Sequence, residues 1–305
     1  MTNLNKLVDA FNHTFSIYRV NPDPSMSRAI PRVYGAIDYD WQSTFEANFC
    51  HYFNGLMLRG AAEVSQVYCA VFPSFDVLEP FIEQAQPGDL LFTHHPVDIE
   101  SGDPQGKWGR GFLPIDPDHL SALQEKQLSL YACHLPLDHH RTLGTTAAMV
   151  SAINGHTEES FYPEAGADCG LICTISPLSL AAFEQNLRTI YGVTYIDSKG
   201  PVPDQVERVA VVAGVADTVE LFESIENKQI DVFLTGEIHI RIEGERGRTK
   251  FERVTQYAET RSPMRLVGVS HAASEFLVMR THIKPWLKET FNLDAVLLPQ
   301  QRWWR

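Results

Sequence analysis

Two stretches of this chain repeat one another, and the repeat restricts the fold more than any other feature. VYCAVFPSFDVLEPFIEQAQPGDLLFTHHP begins at Val67, and RVAVVAGVADTVELFESIENKQIDVFLTGEIH begins at Arg208. Each reads as an apolar strand, a helix opened by aspartate, and a second apolar strand ending on a threonine, Thr93 or Thr235. His94 and His95 follow the first threonine; Gly236 and Glu237 follow the second. Further on, each copy offers another strand, then a histidine, then an acid four residues later. These are LYACHLPLD, with His134 and Asp138, and LVGVSHAASE, with His271 and Glu275. A single strand–helix–strand similarity carries little weight. Two polar endings recurring in the same places carry more.

The alternation extends along most of the chain. Strands are expected at 66–72, 89–93, 129–133, 170–175, 208–212, 231–235, 265–269 and 294–298, with helices near 75–85, 116–127, 145–153, 177–190, 218–228 and 272–290. Ser176 before Pro177 reads as an N-cap followed by proline at the first helical position. Leu4, Leu7, Val8, Phe11 and Phe15 are spaced for an opening helix, and their run is too interrupted for a signal peptide. The class is α/β: two related α/β domains from the internal repeat, with a metal site between them. Residues 1–160 plus 272–305 are expected in the first domain, because the strand near 294–298 needs a sheet to join, and 161–271 in the second. The segment 100–114, with four glycines and two prolines, reads as a flexible loop, and 239–253, crowded with charges of both signs, as solvated surface.

Composition narrows the partners. The 25 lysines and arginines against 38 acids give a net charge of −13, which opposes binding to nucleic acid. No apolar run approaches the roughly 18–20 residues of a membrane span, so a soluble, cytoplasmic protein is expected. The five cysteines are odd in number and scattered, unlike a disulfide framework. Cys169 and Cys173 stand as a lone C-x3-C, better read as buried thiols than as zinc ligands.

The polar endings carry the chemistry. In an open α/β sheet, function gathers at the carboxyl ends of parallel strands. His94 and His95 would point to opposite sides of a regular strand, but a chain turning at the strand's end can aim both at one place. His271 and Glu275 stand at i and i+4, on one face of a helix. Pro136 between His134 and Asp138 points to a turn there instead of a continuous helix. Taken singly, each pair reads as well as packing or surface charge. Together, His94, His95, His134, Asp138, His271 and Glu275 make a mixed His and carboxylate set without cysteine, suited to Zn, Mn, Fe or Co. Six candidates exceed what one tetrahedral ion needs, and two divalent ions fit the number better.

On FNGLMLRG (53–60), LLFTHHP (90–96), CHLPLDHHRTLGTTAAM (133–149), DVFLTGEIH (231–239) and GVSHAASE (268–275), the sequence resembles the Nif-three-like dinuclear metal-centre family, also known as GTP cyclohydrolase 1 type 2 homologues. The resemblance implies His94, His95, Asp138, His271 and Glu275 as metal ligands, with His134 as a neighbouring active-site histidine. It also implies a toroidal homohexamer, a trimer of dimers, with the metal pairs facing an internal cavity. Two departures stand out: the central domain inserted in longer members is missing, and Ser270 occupies a position where glycine is common.

The leading functional expectation is a metal-dependent hydrolase of cyclohydrolase or phosphoesterase type. Its substrate would be small and phosphorylated or nucleotide-like, attacked by a metal-activated water. His134 or Glu237 would shuttle the proton, and Lys107, Arg110 and Arg141 are the cations available for a phosphate. The competing class is a metal-storage, metal-delivery or regulatory interaction protein that turns nothing over. Trp303 and Trp304 read equally as folding back on their own domain or as meeting another subunit.

Overall fold

The computed structural model describes residues 2–305, and the chain divides into two compact units. Unit 1 holds Met1–Ile99, Phe112–His140 and Met279–Gln301; unit 2 holds Glu100–Gly111, Arg141–Val278 and Arg302–Arg305.

Unit 1 is built on a five-stranded sheet in the order Ala295–Leu297, Val67–Ala70, Leu90–Thr93, Ser129–Ala132, Gly55–Leu58. The first four strands are mutually parallel, and the Gly55–Leu58 edge runs antiparallel. The three central strands are buried on both faces, which is why they read as unbroken apolar runs. The opening helix, Leu4–Thr14, is capped by the Asn3 side chain and buries Leu4, Leu7, Val8 and Phe11. Phe11 meets Phe92 and Tyr131 edge-on at 5.7 and 5.2 Å. Full burial of such a ring contributes roughly 1.5–3 kcal/mol.

Unit 2 carries a six-stranded sheet in the order Asp197–Lys199, Arg265–Gly268, Val232–Glu237, Val206–Val215, Ala167–Leu178, His156–Glu164. Its three middle parallel strands repeat the central three of unit 1. The register is equivalent: Thr93 lies between Ala70 and Ala132, and Thr235 between Val212 and Gly268. The α/β class and the repeat are both present in the structure. All eight expected strands form, with ends displaced by a few residues.

Several expectations need correction. The passage between units falls at His140/Arg141, not at 160, because the Thr145–Ala152 helix belongs to the second sheet: Thr146 Oγ1 donates to Cys169 O at 2.8 Å. The His271–Val278 helix also lies in unit 2. The expected helix 272–290 is three pieces, α over His271–Val278, π over Met279–Ile283 and α over Lys284–Phe291. Pro285, which has no N–H to donate, opens the last piece. The 100–111 segment is no free loop. Gly109 N donates to Arg241 O at 2.7 Å, and Arg241 N to Ser101 O at 2.9 Å. The charged 239–253 segment gives way to a helix over Glu245–Thr260, and His239 is buried. Finally, the strand passes through Ser176–Pro177 to Leu178, with Pro177 in a register irregularity, and Ser179 caps the helix.

Candidate metal centre

In unit 1 the chain leaves the Leu90–Thr93 strand but keeps its ladder: His94 N donates to Ala70 O at 3.3 Å and His95 N to Val71 O at 2.9 Å. Both histidines are buried. Their rings lie 4.6 Å apart, and each reaches the His134 ring, at 5.1 and 4.8 Å. One nitrogen from each of His94, His95 and His134 lies within 4.8 Å of the other two. The turn at the end of the strand thus gathers side chains that a regular pleat would separate.

The tautomers are fixed by what surrounds the rings. His94 Nδ1 is 2.8 Å from Cys133 O, and a carbonyl only accepts, so Nδ1 carries the proton. That leaves the Nε2 lone pair, 3.6 Å from Asp138 Oδ1. His134 Nδ1 is 2.8 Å from Asp23 Oδ2, and its backbone N donates to Asn54 Oδ1 at 2.7 Å. Asp23 is fully buried. Burial alone would raise its carboxyl, but the charge and hydrogen bond of His134, with bonds from Met26 N and Asn54, hold it well below the usual range. An imidazole whose Nδ1–H is held by a carboxylate or carbonyl presents Nε2 as a metal ligand. Asp138 stands on the short Leu135–Asp138 helix, where Pro136 sits in the first turn and needs no N–H partner.

In unit 2 the counterpart of Ser129–Ala132, Arg265–Gly268, leads through Val269 and Ser270 into the His271–Val278 helix. Ser270 has φ +91°, which explains why glycine suits this position. The serine offers something in return. Its Oγ accepts from Ala273 N at 3.2 Å, capping the helix, and donates to Trp303 O. His271 Nε2 lies 3.0 Å from Glu275 Oε1, with both side chains buried. Gly214 makes room for this pair: a Cβ there would stand 2.5 Å from Glu275 Oε1 and 3.3 Å from His271 Nε2. Ser274 fixes the approach, accepting from Gly214 N at 3.1 Å and donating to His271 O at 2.8 Å. Glu237 is buried beside them; Ser101 Oγ donates to its Oε1. Burial pushes its carboxyl up to about 7, against the pull of His271.

His94, His95, His134 and Asp138 are therefore brought together in unit 1, and Glu237, His271 and Glu275 in unit 2. The imidazole nitrogens and carboxylate oxygens gathered in each unit fit a divalent metal of the Zn, Mn, Fe or Co type. Sequence reasoning missed Asp23, Ser101 and Gly214. Asn54 lay inside the FNGLMLRG motif without a role. Of the proposed phosphate cations, Arg110 pairs with Glu100 at 2.6 Å, Arg141 lies 3.7 Å from Asp168, and Lys107 is exposed.

Residues 45–301 match the Duf34/NIF3 (NGG1p interacting factor 3) family. The chain belongs to that family. An Archaeoglobus fulgidus protein named "GTP cyclohydrolase 1 type 2 homolog" is 31% identical over 192 residues, 60% of this chain and 69% of the relative. A Vibrio cholerae protein of the same name is 25% identical over 256 residues, 80% and 88% of the two chains. Among solved structures, protein ybgI, described as of unknown function, aligns over 99% of this chain and 100% of its own, with TM-score 0.66 and 19% identity. A Bacillus cereus protein related to NIF3 covers 93% of this chain and 97% of its own, at TM-score 0.58 and 14% identity. These NIF3-type structures share the fold. Trp303 and Trp304 both pack within unit 2: Trp304 stacks on Tyr195 at 5.8 Å, and Trp303 lies 5.4 Å from Phe276. No helix among the described residues is long and apolar enough to cross a membrane.

Proposed function

We propose that this NIF3-family chain is a metal-dependent hydrolase that works through a pair of divalent ions held by its histidine and carboxylate donors. The observation that carries this reading is the clustering of imidazoles in unit 1: one nitrogen from each of His94, His95 and His134 lies within 4.8 Å of the other two. Three imidazoles gathered at one strand end suit a divalent metal of the Zn, Mn, Fe or Co type.

In this reading His94, His95 and Asp138 would hold metal in unit 1, and His271 and Glu275 in unit 2. Glu275 would offer a carboxylate and His271 an imidazole nitrogen to the metal. When bound, two such ions bring a water's pKa near neutrality and polarise the substrate oxygen. The chain's own work is then positional and protolytic. Asp23 and Asn54 hold His134 in one orientation, so that its Nε2 can take or return a proton. Glu237, with a carboxyl near neutrality and Oε1 held by Ser101, is the second group able to move a proton at pH 7. A small phosphorylated or nucleotide-like molecule suits this chemistry, and the relatives' printed name is in keeping with a cyclohydrolase-type reaction.

Glu275→Gln tests the centre, because it keeps size and removes the charge that offsets two cations. Elemental mass spectrometry of the folded variant should show at least one metal equivalent fewer per subunit, and turnover in a nucleotide and phosphoester screen should fall with it. Unchanged metal content would defeat the dinuclear reading. Full metal content with no turnover by the unmodified chain would favour storage or delivery instead.

A further inference from the structure

We propose that Trp303, Trp304 and Arg305 act as a clasp that sets the position of the His271–Glu275 pair in unit 2, with Ser270 as the positioning residue through which it acts. Ser270 stands immediately before His271, and its φ of +91° is one that side chains other than glycine rarely adopt. Strained backbone of this kind persists only where its surroundings hold it. Three bonds do so. Ser270 N donates to Gly236 O at 2.8 Å, its Oγ accepts from Ala273 N at 3.2 Å, and the same Oγ donates to Trp303 O. Glycine would take this φ freely but would give up the last two bonds. The serine exchanges backbone ease for a tie to Trp303.

A tie to a frayed segment would orient nothing, and this segment is packed down by its indoles. The Trp303 ring lies 5.4 Å from Phe276, the residue after Glu275 on the same helix. Trp304, 8% exposed, stacks on Tyr195 at 5.8 Å and 9° from parallel. The Tyr195 hydroxyl donates to Asp103 Oδ1 at 2.5 Å, and Gly102 N donates to Arg305 O. The same segment therefore also holds the stretch that carries Ser101, whose hydroxyl reaches Glu237. All three donors grouped in unit 2 are braced from one place: His271 and Glu275 through Ser270 and Phe276, and Glu237 through Gly102 and Ser101.

The clasp rests on the proposed metal reading only for what the pair binds, so the test runs without metal and then with it. Ser270→Gly removes the tie and keeps the φ; a chain ending at Gln301 removes the clasp and keeps the serine. In the metal-free protein, amide hydrogen exchange over 274–278 should quicken at least tenfold in each variant, while 208–212 of the same unit stays protected. Combined, the two changes should do less than the product of their separate effects, since each breaks the same contact. Cobalt(II) titration, followed by visible absorption, should show binding at least about tenfold weaker in each. Should the shortened chain fail to fold, Trp303→Ala, which keeps the backbone and takes the ring off Phe276, replaces it. Wild-type exchange in Ser270→Gly, or effects that simply multiply, would overturn the clasp. So would quickened exchange with wild-type cobalt affinity, where Glu275→Gln does weaken that affinity. If exchange quickens as expected and Glu275→Gln leaves cobalt binding unchanged, the clasp stands and only the metal reading falls.

Discussion

The two units solve the same problem differently. Each carries three parallel strands in equivalent register, and each ends two of them in metal-type donors. In unit 1 the donors are held by hydrogen bonds from behind: Cys133 O on His94, Asp23 and Asn54 on His134. In unit 2 the donors stand on a helix face, and what positions them is close approach of backbone without side chains. A Cβ at Gly214 would meet Glu275 Oε1 at 2.5 Å, and one at Gly236 would meet Gly214 O at 2.4 Å. One half is specified by polar partners and the other by missing volume. The difference predicts that the halves fail in different ways.

The largest effect should come from Gly214→Ala. Alanine at φ +68° is strained by roughly 1–2 kcal/mol, and its methyl would occupy the space of the Glu275 carboxylate. The carboxylate end of Glu275 can swing away, so the fold should survive while the His271–Glu275 pair is pulled apart. Metal held through unit 2 should be lost outright, with the urea midpoint only modestly lowered. Wild-type metal content in Gly214→Ala would show that the close approach positions nothing.

A smaller, graded effect is expected in unit 1. Asp23→Asn keeps an acceptor for Met26 N, which the carboxylate holds at 3.0 Å, and removes the charge facing His134. Losing an outer carboxylate behind a metal-site imidazole typically weakens metal binding about 10–100-fold. Competition with a fluorescent chelator should therefore show weakened, not abolished, binding. Affinity equal to wild type would mean that Asp23 serves only the start of the Met26–Gly35 helix.

The same contrast explains what the sequence revealed. Strand cores such as 90–93 and 232–235 were legible because burial on both faces leaves a continuous apolar run between turn residues. The strand-end donors were legible because the repeat placed them twice. Their supports were not. Asp23 lies 111 residues from His134, and Ser101 lies 136 from Glu237, so no local spacing links them. Gly214 looked like any glycine in an apolar strand. The Glu245–Thr260 helix was hidden for another reason: only Gly247, Val254, Tyr257 and Ala258 are buried, and charges such as Lys250, paired with Asp217 at 2.8 Å, dilute the pattern.

The smallest effect concerns two imidazoles, one in each unit. His134 has a carboxylate at 2.8 Å on its Nδ1. His239 has Asp197 at 3.4 Å but no hydrogen bond at either nitrogen, and Arg241 opposes its protonation. Burial therefore dominates and pushes His239 down to about 4, from an unfolded value near 6.5. The sign follows from that depression. The folded state favours the neutral ring, so its stabilisation is complete above pH 6.5 and is lost as pH falls toward 4. Between pH 7 and 5 the unfolded chain takes up a proton that the folded one refuses, which removes about 2 kcal/mol. Glutamine at 239 cannot titrate, so His239→Gln should lose less stability over the same interval, although it starts from a lower midpoint. Urea melts of both proteins at pH 7 and 5 give the comparison directly. If the two midpoints fall in parallel, His239 is protonated in the fold as readily as in solution, and the contrast between the two imidazoles is not electrostatic.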